Sequence, residues 1–77
     1  MKTPLTRLKI GTKAKILEVA AGKQAAHRLS TMGLRVGAHI TRISTFVLRG
    51  PVTVKVGSTT IAIGHGMAEK IIVESHQ

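Results

Sequence analysis

Cysteine, aspartate, tryptophan and tyrosine are missing from this sequence, and one phenylalanine, Phe46, is its only aromatic residue. Without cysteine there is no disulfide framework, zinc finger or thiol nucleophile, so the fold rests on its core alone. Without aspartate, a Ser-His-acid constellation would have to recruit Glu18, Glu69 or Glu74. None of Ser30, Ser44, Ser58 and Ser75 lies in a Gly-x-Ser-x-Gly elbow. A Gly-x-x-x-x-Gly-Lys-Ser/Thr phosphate loop is missing as well, so the chain is not expected to hydrolyse GTP. Long apolar runs are equally scarce. Lys2, Arg7, Lys9, Lys13 and Lys15 interrupt the stretch from Met1 to Gly22, which never builds the apolar run of about 7–15 residues of a signal peptide. Nothing approaches the ~20 apolar residues that cross a bilayer. The expectation is a soluble, cytoplasmic protein with no direct insertion into a membrane.

What the sequence has in abundance is positive charge. Twelve Lys and Arg against three acids give +9, which draws a chain toward nucleic acid, anionic lipid or an acidic protein face. At 77 residues with 43% hydrophobic content, it is one domain spanning 1–77, burying only about 60% of the surface its unfolded form exposes. That leaves little room for a deep reaction chamber, and no enzyme activity or cofactor is expected.

The local patterns alternate between two periods. Ala14 to Val19 is rich in aliphatic and β-branched residues between Gly11 and Gly22, and reads as a first strand. Its apolar phase slips between Ile16 and Val19, three apart rather than two, as a β-bulge would require. From Lys23 to Met32 the residues favour helix, with Ala25, Leu29 and Met32 recurring on one face. Gly33 follows as a left-handed C′ residue, making Leu34 and Leu29 the C″ and C3 pair of a Schellman cap. Ile40 to Val47 reads as extended, Gly50 and Pro51 punctuate a hairpin, and Val52 to Val56 and Thr59 to Ile63 alternate around the Gly57-Ser58 turn. A single helical turn over Met67 to Lys70 and a last strand over Ile71 to Val73 complete the pattern. About five short strands in so small a chain avoid open edges by curling into a closed or partly open barrel.

This order of motifs resembles the ferrous iron transport protein A (FeoA) family. The resemblance runs from Leu5 to Glu74 and rests on Gly33-Leu34 with Gly37, on Gly50-Pro51, and on Gly64, Gly66 and Ala68 before the last strand. It departs from the family in carrying His27-Arg28 rather than a longer arginine run, and in the Phe46-Val47-Leu48-Arg49-Gly50-Pro51 hairpin where many members are more acidic. The resemblance implies an all-β, SH3-like barrel with one short α-helix after the first strand. It also implies a non-catalytic cytosolic accessory of bacterial ferrous iron uptake, acting on the cytosolic GTP-binding part of the FeoB membrane transporter. A similar domain closes some metal-dependent repressors, so the fold alone does not fix the role.

The contact residues expected from the sequence are Arg28, Met32, Leu34, Arg35, Val47, Leu48 and Arg49. Arginines steer the domain to an acidic partner, and the apolar hairpin run supplies burial, for the transporter or for a weak homo-oligomer. Met32 and Leu34 compete for a place in the core, where burial is the expected outcome for both. His65 and Glu69 are four apart and would face one ion on a helical turn, but Gly64 and Gly66 argue against a regular helix there, so no metal site is assigned. A basic nucleic-acid-binding module is the competing function. Charge supports it, whereas the shortage of aromatics removes base stacking.

Overall fold

The computed structural model describes residues 1–43 and 50–75. Strand β1 (Lys2–Pro4) leads through a 3-10 turn (Leu5–Arg7) to β2 (Lys13–Val19) and helix α1 (Lys23–Thr31). Then come β3 (His39–Arg42), β4 (Val52–Val56), β5 (Thr59–Ile63), the one-turn helix α2 (His65–Ala68) and β6 (Ile71–Ser75). The six strands of the described residues join one antiparallel sheet in the order β1-β6-β2-β3-β4-β5.

Six strands at a spacing of ~4.8 Å would make a flat sheet broad and thin. The molecule instead measures 29 × 25 × 23 Å, so the sheet curls around its own core into the expected partly open barrel. Alternation places Ala14, Ile16, Ile40, Val52, Val54, Ile61, Ile63, Ile71 and Val73 inside. Leu29 of α1 and Ala68 of α2 join this core.

The slip of phase in β2 is a bulge: Ile16 pairs with Val73, but Glu18 pairs with Ile72. The extra residue, Leu17, lets both Ile16 and Val19 pack inward although three positions separate them. The α1 terminus is the expected Schellman cap. Leu34 N–H donates to the Leu29 carbonyl at 2.9 Å and Gly33 N–H to Ser30 at 3.0 Å, while Gly33 takes φ 95°.

The sequence reading needs three corrections in the fold. Strand β1 was missed because three residues carry too little pattern; Lys2 to Pro4 is fixed by pairing with Ile72 to Glu74, at the far end of the chain. The 3-10 turn after it was missed too, although Leu5 and Leu8 are both buried. Helix α2 begins at His65 rather than Met67, because Gly64 adopts an extended φ/ψ that starts the turn and Gly66 is accommodated within it. Of the extended run predicted from Ile40 to Val47, the part from Ser44 onward lies outside the described residues.

Candidate functional site

Helix α1 presents two surfaces. Leu29 turns inward, and Lys23, His27 and Arg28 stand exposed on the other side. The helix has no acid in its first turn, and Gly22 supplies no side-chain cap. Its last turn is tightened by hydroxyls: Ser30 Oγ donates to the His27 carbonyl at 2.7 Å and Thr31 Oγ1 to Arg28 at 2.6 Å. These bonds and the Schellman cap fix the direction in which the chain leaves the helix.

That exit separates the expected contact residues. Leu34 is 0% exposed: the cap folds it back onto the core beside Leu29, so it cannot be a direct contact and serves as the anchor of the turn. Met32, at the C-cap, is 42% exposed, against the expectation of burial, and Val36 is 64% exposed. Arg28 and Arg35 are exposed as well, the first four residues before Met32 and the second directly before Val36. Val47, Leu48 and Arg49 lie outside the described residues. The sequence reading missed Val36, although the Gly33 and Gly37 turns that bracket it signal a looping segment whose apolar residues have no regular face to hide behind.

Beside this turn runs a groove of ≈ 180 Å³. Ala25, Arg28, Leu29 and Met32 form one wall, and Ala62, Ile63, Gly64 and Met67 the other. Two thioethers therefore line a shallow apolar channel with a guanidinium at its edge. Methionine adapts its shape at low cost, which suits a surface that meets another macromolecule.

At α2, His65 Nε2 lies 3.1 Å from Glu69 Oε1, with both side chains well exposed. The expected glycine interruption is overturned, and the pair does share one turn. Two ligands do not make a metal centre, and no group of three or more His, Cys, Asp or Glu side chains suited to an ion occurs among the described residues. No helix among those residues is long and apolar enough to cross a membrane.

The class defined by these features is a small SH3-like β-barrel domain with a cationic, methionine-lined surface beside its single long helix. The chain belongs to the FeoA domain family, whose model matches residues 3–75. It is 37% identical over 71 residues to the Fe(2+) transport protein A of Methanocaldococcus jannaschii, covering 92% of this chain and 84% of that protein. Among solved structures it is similar to a crystallised iron uptake regulatory protein (FeoA), at 32% identity and TM-score 0.85 over 97% of both chains. It is also similar to the FeoA protein of Chlorobium tepidum, at 28% identity and TM-score 0.88 over 97% of this chain and 71% of that one. The same fold occupies 34% of T. acidophilum IdeR, where 96% of this chain aligns at 25% identity and TM-score 0.82.

Proposed function

We propose that this protein is a non-catalytic accessory of ferrous iron uptake that acts in the cytoplasm by docking on the cytosolic GTP-binding part of a FeoB-type membrane transporter. The observation that carries this reading is the junction at the end of α1, where Met32 and Val36 are exposed and the exposed Arg28 and Arg35 stand four residues before Met32 and directly before Val36. Exposed apolar side chains interspersed with cations suit a docking patch: the charges guide encounter and the apolar groups, once dried, hold the complex. Val47, Leu48 and Arg49, which lie outside the described residues, are proposed as further contacts on the grounds of their residue types alone. Family membership and the Fe(2+) transport relative support the iron-uptake setting.

The test is association kinetics on the immobilised GTP-binding domain. Charge reversal by Arg28→Glu with Arg35→Glu lowers the on-rate about tenfold at low salt and little at high salt. Met32→Asp raises the off-rate about tenfold with little change in on-rate. Unchanged rates for both variants would reject this docking surface.

A further inference from the structure

The outer face of the sheet carries a second cationic surface, formed by strands rather than by α1. Ala14, Ile16, Ile40 and Val54 point into the core, so the alternate residues Lys13, Lys15, His39 and Lys55 stand on the outside. Strand register then sets them in rows. Lys2, Glu74, Lys15 and His39 follow one another across β1, β6, β2 and β3. In the next row Lys13, Thr41 and Lys55 cross β2, β3 and β4. At a strand spacing of ~4.8 Å, the backbones of Lys13 and Lys55 are roughly 10 Å apart, with Thr41 between them. A shallow concavity of ≈ 300 Å³ lies there, lined by Lys13, His39, Ile40, Thr41, Lys55 and Gly57.

Glu74 is the only acid in these rows, and the one carboxylate within salt-bridge distance of a basic side chain among the described residues is Glu69, beside His65. Glu74 stands beside Lys2 and Lys15, whereas Lys13 and Lys55 are held by neighbouring strands on the same face with no carboxylate in their row. Like charges gathered in this way repel, and the repulsion is relieved when an extended anion is brought against them.

We propose that this lysine face binds an anionic membrane surface, with lipid phosphate groups meeting Lys13, Lys15 and Lys55 and one headgroup seated over Thr41. Charge complementarity selects an anionic occupant, and the chemistry of the face selects the kind. Its permanent cations are all lysines, compact hydrated charges that suit a fluid array of headgroups, whereas the planar arginine fork suits fixed bidentate recognition. No aromatic residue occurs among the described residues, so bases of a nucleic acid find no stacking platform. The cations also spread over two dimensions instead of tracing the line of a phosphodiester backbone. Each lysine close to an anionic bilayer adds about fivefold to partitioning. A few lysines give weak, reversible attachment, which becomes effective when a second contact holds the domain near the same surface. The inference stands on the sheet and is independent of the docking reading.

The experiment is co-sedimentation with vesicles of phosphatidylglycerol and phosphatidylcholine, and with phosphatidylcholine alone, at low and high salt. The full chain partitions to the anionic vesicles at low salt and is released at high salt. Lys13→Glu with Lys55→Glu lowers partitioning more than tenfold, while Lys23→Glu with Lys70→Glu, the same change in net charge made elsewhere, lowers it severalfold less; circular dichroism checks that both variants fold. Glycerol phosphate and a short DNA duplex are added as competitors. Failure to bind anionic vesicles, equal binding to neutral ones, equal loss in both variants, or release by glycerol phosphate at low concentration would overturn the proposal. So would preference for the duplex, which would make the face a nucleic-acid surface.

Discussion

Arg42 shows how one side chain ties the amino-terminal segment to the barrel. Its Nη1 donates to the carbonyls of Thr6 at 2.8 Å and Leu8 at 2.7 Å, more than thirty positions away in sequence. Its Nε is buried without a hydrogen-bond partner, a penalty offset by bonds whose donor carries full charge. Arg42→Met should lower stability by about 2 kcal/mol, because two carbonyls at the 3-10 turn lose a charged donor. Urea denaturation would show this as a lower midpoint with an unchanged slope, and Arg42→Lys should recover part of the loss. None of this was legible in the sequence, where Arg42 is one cation among twelve; long-range hydrogen bonds leave no periodic trace. Met32 and Leu34 teach the same lesson at shorter range. Both are apolar and two positions apart, and only the left-handed Gly33 between them sends one into the core and leaves the other in solvent.

Among the elements, those with a strong local cause were legible. The α1 terminus followed from Gly33 and the Leu29/Leu34 pair, and the bulge from three-residue spacing in β2. Gly33→Ala combines a left-handed conformation with a new Cβ only 3.3 Å from Val56 Cγ1. It should destabilise the domain by about 1–2 kcal/mol, and the shift of the thermal midpoint would measure it. A loss much smaller than that would mean the turn relaxes freely. Elements fixed by partners rather than by pattern were the ones missed. β1 exists because β6 offers it an edge, and α2 forms through a glycine because Ala68 is buried in the core. The candidate contact surface was half visible: residue types marked Arg28 and Arg35, while exposure of Val36 and the companionship of Met32 with Met67 needed the fold.

For the molecule as a whole, β6 is the strand that joins the first strand to the rest of the sheet, lying between β1 and β2 with Ile71 and Val73 fully buried. Its pairing with β1 joins Lys2–Pro4 to Ile72–Glu74, so it closes a long loop and carries a large loop-closure entropy cost. The amides of β6 that are bonded within the sheet should exchange with solvent only through global unfolding, whereas those of the exposed Gly57-Ser58 turn exchange through local opening. Hydrogen exchange followed by NMR would separate the two groups. Rapid exchange throughout β6 would show that the barrel opens along that seam.

The Met1 ammonium donates to the Ser75 carbonyl at 3.1 Å. A domain in which positions 1 and 75 are hydrogen-bonded neighbours can be spliced into a host protein as a cassette at those positions, since entry and exit share one doorway. It can equally be reclosed with a brief linker and cut open at Gly57-Ser58, yielding a permuted chain that retains every rung of the sheet.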